Sequence, residues 1–407
     1  MSERGDATYP VPRDLRHPFD PPAELRAMGQ NGDIHRVRIW DGSEPWLITG
    51  YQDIRTVLSH PGASSDTDKL GFPHASAAIQ ARRARAKTFF QEDGPAHDEP
   101  RRMLAREFTA RRMQSLREQI QQIVNGLLDD LLAGPNPADL VEAFALPVPS
   151  LMICDLLGVP YEDHDLFQRL SKVFVSASST PEQTTAAADE LLAFIAGLVD
   201  EKCTAPRDDL LSRLAVEQLL PGAMTREEVA RMGLLLLTAG HETSANMIAL
   251  GTAALLTRPD QVELLRTSTD PAVAAGAVEE LLRHLTIVHN GVRRVLTEDI
   301  EVAGTQIRAG EGVILSLSVG NRSEEVFPGE GADSGRLDIS RPARHHLAFG
   351  FGVHQCLGQQ LARVELQVVF STLFRRIPSL ALARPLTEVP FKQDMSIYGV
   401  HRLLVTW

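Results

Sequence analysis

Residues 346–358 read His-Leu-Ala-Phe-Gly-Phe-Gly-Val-His-Gln-Cys-Leu-Gly, a glycine-rich loop that delivers Cys356 to the start of an amphipathic segment. A cysteine in that setting is suited to work as a thiolate. Gly350, Gly352 and Gly358 lack a Cβ, so they permit positive φ and close approach by a flat macrocycle. The helix expected after Cys356 offers unpaired backbone N–H groups and a positive dipole end, and both stabilise a sulfur anion. The plainer role of a lone cysteine is a small buried hydrophobe, which is the reading for Cys154 and Cys203. A cysteine hydrolase pairing Cys356 with His354 is a rival class, but no orienting partner is readable for it.

A second group of chemically capable residues is Ala239-Gly240-His241-Glu242-Thr243, set inside a long apolar stretch. Polar residues in a buried helix need a reason, and a threonine bonded back to a preceding carbonyl is the structural one. The third group is Glu280-Leu-Leu-Arg283, an acid and a base three residues apart on one helical face. Surface helices produce such pairs constantly, so alone it carries little.

The elements that must position these groups are mainly helical. Arg111–Leu132, Pro149–Leu157, Pro181–Lys202, Thr225–Leu256, Pro271–His284 and Leu357–Arg376 have apolar residues at helical spacing, several opened by Thr or Pro. Strand-like segments cluster near the two ends. Ile34–Trp40 and Trp46–Thr49 flank an Asp-Gly loop and predict a hairpin, and Val292–Leu296, Glu301–Val302 and Val313–Leu317 predict short strands. The stretch from Glu324 to Arg344 is irregular, rich in Gly, Pro, Asp and Ser. With no repeat and no linker composition, the expectation is one mainly α domain with a minor β region spanning residues 1–407.

Bulk properties narrow the function. With 41 Lys+Arg against 53 Asp+Glu the net charge is -12, which argues against a general nucleic-acid binder. Three widely spaced cysteines give no disulfide framework or zinc-finger pattern and fit a reducing cytoplasm. Met1–Arg26 is polar and carries no signal-peptide pattern, and the apolar runs around His241 fall short of a membrane span.

Phe349-Gly-x-Gly-x-His-x-Cys356-x-Gly358 resembles the haem-ligand signature of the cytochrome P-450 family, and the likeness extends from Asp41-Gly42 to the closing Tyr398–Trp407. Ala145-Leu-Pro-Val-Pro-Ser150, Ile153-Cys-x-Leu-Leu-Gly-Val-Pro160 and His345-His-Leu-Ala-Phe-Gly look most like the soluble actinomycete enzymes of secondary metabolism and xenobiotic oxidation. The resemblance implies haem b with Cys356 as axial ligand, and a single-domain cytochrome P-450 fold. It implies proton delivery by Glu242 and Thr243, and propionate contacts from His97, Arg101, Arg294 and His354 beside Phe349. Glu280, Arg283 and Arg341 would form a structural ion pair holding the cysteine loop, with Arg336 as the alternative third member. Two departures stand out: Ser244 replaces a frequent second threonine, and Pro100 sits where helix formers are usual.

The implied reaction inserts one oxygen atom from dioxygen into a hydrophobic organic molecule. Its electrons come from a separate ferredoxin and reductase, because no flavin, nicotinamide or iron–sulfur fingerprint is present. Leu236, Ala239, Ile287, Val288, Ile397 and the loop between Pro61 and Phe90 would line the substrate site, suited to a polyketide, macrolide or terpenoid. Arg101, Arg102, Arg106, Arg111, Arg112, Arg344 and Arg363 would offer a basic dock to an acidic ferredoxin. Oxidative coupling or cyclisation without oxygen insertion, and a non-catalytic haem sensor, are the alternatives. Glu242-Thr243 argues against the sensor, since reversible binding needs no proton relay.

Overall fold

A computed structural model describes residues 9–30, 34–160, 163, 166, 169–170, 173, 179–328 and 333–407. The start of the polar N-terminal stretch and part of the irregular stretch after Glu324 lie outside the described residues. Eight helices frame the site and are labelled here in chain order. They are α1 (Ala77–Arg85), α2 (Pro95–Ala105), α3 (Arg117–Ala133), α4 (Pro147–Leu157), α5 (Pro181–Thr204), α6 (Arg226–Leu256), α7 (Pro271–Leu285) and α8 (Gln359–Arg376).

Local chemistry sets their starts. Thr225 and Glu228 close a reciprocal capping box ahead of α6: the Glu228 amide donates to Thr225 Oγ1 at 3.2 Å and the Thr225 amide donates to the Glu228 carboxylate at 2.7 Å. Thr180 and Gln183 do the same for α5, with Pro181 in the first turn, and Asp270 accepts from the Ala272 amide at 2.8 Å ahead of α7. The expected helix Arg111–Leu132 is divided, because Ala110–Ser115 ends at Leu116 and α3 begins at Arg117. Pro100 is a further correction: α2 begins at Pro95, so the proline stands inside the helix rather than in its first turn, where its missing N–H would be harmless.

The strands are β1 (Ile34–Arg36), β2 (Trp46–Ile48), β3 (Ala63–Ser64), β4 (Ala138–Asp139), β5 (Val292–Leu296), β6 (Ile300–Val302), β7 (Thr305–Ile307), β8 (Gly312–Leu315), β9 (Ala381–Leu382) and β10 (Leu404–Thr406). The largest sheet runs β1-β2-β8-β5-β3, with β2 parallel to β8 and Trp46 paired with Val313. The β1–β2 hairpin is present but shorter than its β-forming residues suggested.

Helix α6 crosses the largest apolar core, packed against α4, α5 and α8. Most of its residues are buried, yet Ala239 is exposed and Gly240 and Thr243 are only half-buried in the middle of it. These three residues thus keep accessible surface half-way along an otherwise buried helix. Among the described residues no helix is long and apolar enough to cross a membrane.

Candidate active site

The cysteine loop is shaped by its own backbone. Cys356 N–H donates to the Phe349 carbonyl at 2.9 Å and Gly350 N–H to the Leu347 carbonyl at 2.7 Å. The three glycines divide their work differently from the expectation. Gly350 and Gly352 have φ of 71° and 75°, whereas Gly358, the residue capping α8, has φ of -80° and needs no glycine freedom. A Cβ on Gly352 would lie 2.3 Å from the Leu58 carbonyl oxygen, so this glycine also serves backbone packing.

Burial pushes the Cys356 thiol up from its ordinary value. The amides of Gly358 and Gln359 and the charges of Arg101 and Arg363 oppose that shift. These are the groups that stabilise a sulfur anion, the form that binds metal.

Two successive carboxylates of α7 clamp the loop. The Glu280 carboxylate accepts from Arg283 at 2.6 and 2.8 Å and from Arg341 Nε at 3.3 Å, all three side chains being buried. The exposed Arg336 contributes its carbonyl to Arg341 and not its side chain, so Arg341 is the third member. Sequence reading overlooked Glu279, whose carboxylate accepts from Arg363 Nε at 2.6 Å and contacts His346 Nε2 at 3.1 Å. Burial would raise the Glu279 carboxyl, but His346 and Arg363 hold it down at about 2. Burial also lowers the imidazole of His346, so Arg363 is the cation of this triad. Arg363 further stacks over the Phe349 ring at 4.7 Å. A Glu-Glu pair followed by Arg three residues later was the available signal.

The expected propionate residues converge. His97 and His354 have ring centroids 4.0 Å apart. His97 Nδ1 meets Asp98 at 2.8 Å and Arg101 Nη2 donates to the Gln355 carbonyl at 2.5 Å. Arg294 is buried and donates to the Arg293 carbonyl at 2.8 Å. Among the described residues, His97 Nε2, Arg101 Nη1 and His354 Nδ1 are buried with no hydrogen-bond partner. Such orphaned polar atoms are costly; carboxylates of a large anionic cofactor would accept from the Arg101 guanidinium and from an imidazole nitrogen that carries a proton. The residues therefore fit haem.

On α6, Thr243 Oγ1 donates to the Ala239 carbonyl at 2.7 Å, the back-bonded arrangement. The Glu242 carboxylate accepts from Asn246 Nδ2 at 3.2 Å and lies 3.5 Å from Lys392 Nζ. Ser244 turns away and donates to Glu365 at 2.8 Å.

The remaining expectations divide. Ala239, Val288 and Ile397 keep accessible surface, but Leu236 and Ile287 are each 8% exposed and belong to the apolar core, because aliphatic side chains there are covered by neighbouring helices. Of the seven dock arginines, Arg102, Arg106, Arg111 and Arg344 are exposed. Arg363 is committed to Glu279 and Arg101 reaches the Gln355 carbonyl, so these two have internal partners, whereas the partly exposed Arg112 pairs with Glu107 at 2.8 Å.

Comparison with known proteins decides the family. The profile described as Cytochrome P450 matches residues 166–381. The chain is 49% identical over 400 residues, 98% of it and 97% of the relative, to "Cytochrome P450-SU2" of Streptomyces griseolus. The chain belongs to the cytochrome P450 family. This P450 is also 45% identical over 410 residues, covering all of both chains, to the "Pentalenic acid synthase" of Streptomyces avermitilis. Among solved structures, GfsF superposes with a TM-score of 0.92 at 48% identity, covering 98% of this chain and 100% of that one. The mycinamicin VIII C21 methyl hydroxylase MycCI of Micromonospora griseorubida does so at 0.91 and 37%, over 98% and 100% of the two chains. The P450 is a haem-dependent monooxygenase with the mainly helical fold of its family.

Proposed function

We propose that this P450 hydroxylates or epoxidises a hydrophobic secondary metabolite of polyketide, macrolide or terpenoid type, with Cys356 as the thiolate that would hold the haem iron and the whole of residues 1–407 forming one catalytic domain. The single observation that carries the haem assignment is the convergence of buried, unpartnered polar atoms of His97, Arg101 and His354, with Arg101 reaching the Gln355 carbonyl next to Cys356. Thiolate-ligated haem supplies activation of dioxygen.

The chain's residues supply the rest. His97, Arg101, Arg294 and His354 would hold the propionates, and Phe349 packs under Arg363 to stiffen the cysteine loop. Glu280, Arg283 and Arg341 fix the loop from behind. Thr243 Oγ1, with its proton directed to the Ala239 carbonyl, keeps its lone pairs toward the cavity and accepts a hydrogen bond there. Glu242 at the buried side of the same turn brings protons in, with Asn246 and Lys392 fixing its carboxylate. Ala239, Val288 and Ile397 face the substrate.

Electrons arrive from a ferredoxin and its reductase in the cytoplasm. Arg102, Arg106, Arg111 and Arg344, together with Val353 at 64% exposure next to His354, form the docking face. The hydroxylase MycCI and the pentalenic acid synthase, both similar over nearly their full length, support a secondary-metabolite substrate.

The test is the absorption spectrum of the dithionite-reduced, carbon monoxide-treated protein beside Cys356→His. A strongly red-shifted Soret band in the wild type that disappears in the variant is expected. A band unaffected by the substitution overturns the assignment.

A further inference from the structure

Glu279 and Glu280 are adjacent on α7, yet their partners lie on different elements. Glu280 bonds Arg283, Arg341 and the Asp338 amide, none of them on α8. Glu279 reaches α8 through Arg363, which donates to its carboxylate from Nε at 2.6 Å and from Nη2 at 3.2 Å. The same guanidinium donates from Nη1 to the Gln359 side chain at 2.8 Å and sits 4.7 Å from the Phe349 ring centroid. Gln359 opens α8 just after Cys356, and the Phe349 carbonyl accepts from the Cys356 N–H at 2.9 Å. A single ion pair is thus held against residues on both sides of the sulfur.

His346 completes the surroundings of the carboxylate. Its Nδ1 accepts from the Ala348 amide at 3.1 Å, so the proton of the neutral ring is on Nε2, which donates to Glu279 at 3.1 Å. The imidazole therefore brings a dipole and no charge, and Glu279 and Arg363 remain as one anion and one cation. Against burial, His346 and Arg363 hold the Glu279 carboxyl down at about 2, so it stays ionised at any working pH. The Glu279 and Arg363 side chains are only 12% and 15% exposed, and charges so poorly screened act well beyond their contact partners.

We propose that Glu279 fixes and neutralises Arg363, and that this pair sets how readily the haem accepts its first electron. The inference rests on the haem-thiolate reading above and carries it from support of the cysteine loop to electron uptake. In that step the ferredoxin loses one electron and the iron gains it, with no bond made or broken and no proton taken up at the pair. A cation beside the site favours the added negative charge and an anion opposes it, so the two nearly cancel while both are present.

The experiment is a dithionite titration, with mediator dyes, of the purified substrate-free holoenzyme. It compares the wild type with Glu279→Gln, Arg363→Gln, Arg363→Lys and the double variant Glu279→Gln/Arg363→Gln, with haem content and the carbon monoxide spectrum recorded for each. Glu279→Gln should raise the equilibrium constant for reduction by roughly tenfold, which is about 59 mV for a one-electron couple. Arg363→Gln should lower it by a similar factor. Arg363→Lys, which keeps the charge, and the double variant should both stay within about threefold of the wild type. A loop that had only been loosened would move both single variants in one direction and the double variant further. Shifts of one sign in both single variants, or shifts below about twofold in each, overturn the proposal. If Glu279→Gln does not retain haem, Arg363→Gln against Arg363→Lys decides, and equal potentials in those two overturn it. The carbon monoxide band of the wild type reports on Cys356 alone, so the haem reading fails on the spectrum and the charge-balance reading on the potentials.

Discussion

Lys392 Nζ lies 3.5 Å from the Glu242 carboxylate, and the two residues are 8% and 7% exposed. A residue near the C-terminal sheet thus fixes the acid on α6. Lys392→Met leaves a nearly buried carboxylate without its counter-charge and should lower stability by about 2 kcal/mol, short of the 3–5 kcal/mol of a wholly buried pair. Glu242→Gln/Lys392→Met should recover part of that loss, and chemical denaturation of the double-mutant cycle measures the coupling. Product formed per electron pair consumed should fall in Lys392→Met, because the carboxylate is no longer held in place.

Asn246 is fixed from the opposite side by Gly399. A Cβ at that position would stand 1.9 Å from Asn246 Oδ1. Gly399→Ala should cost about 1–3 kcal/mol through overpacking and displace Asn246 from Glu242. A lower Tm together with reduced coupling, at unchanged carbon monoxide spectrum, is the expected pair of readings.

Glu280 tests the clamp. Arg341→Met leaves the fully buried Glu280 with Arg283 and the Asp338 amide and should destabilise by about 3 kcal/mol with loss of haem retention, whereas Arg336→Ala should stay within about 0.5 kcal/mol. Thermal unfolding and haem content distinguish them, and equal effects would reject Arg341 as the third member.

Glu365 sets a pH dependence. Burial raises its carboxyl to about 7, and the hydrogen bond from Ser244 only partly offsets this. Unfolded, the group has an ordinary carboxylate pKa near 4.3. Between those values the folded chain binds the proton and the unfolded chain does not, so stability from this group falls as pH rises from about 4.3 to 7 and then levels. The total is on the order of 3–4 kcal/mol. Glu365→Gln should match the wild type in Tm near pH 4.5 and exceed it at pH 8. Parallel curves at all pH values would remove Glu365 as the cause.

Much of this was legible in residue order. The helices with side-chain caps, at Thr180, Thr225 and Asp270, begin where their capping residues and prolines indicated, because that information is local. The Cys356 loop was legible for the same reason. Glu279 was not, because its partners His346 and Arg363 come from two other segments and only folding brings them to it. Lys392 and Gly399 were hidden likewise, their importance residing in contacts with α6. Leu236 and Ile287 sit in the largest apolar core at 8% exposure each, and apolar character in a sequence does not distinguish a cavity wall from a core.

The parallel pairing of β2 with β8 also has a consequence for biosynthesis. Trp46, Leu47 and Ile48 emerge early from the ribosome, and their partners Val313, Ile314 and Leu315 emerge only after most of the chain has been made. Until then the β1–β2 hairpin presents an unpaired apolar edge, which is a template for association with other chains. Loop closure over such a separation makes the largest sheet a late and slow product of folding. Yield of soluble protein should therefore respond to translation rate and chaperone supply more than to changes in the haem pocket.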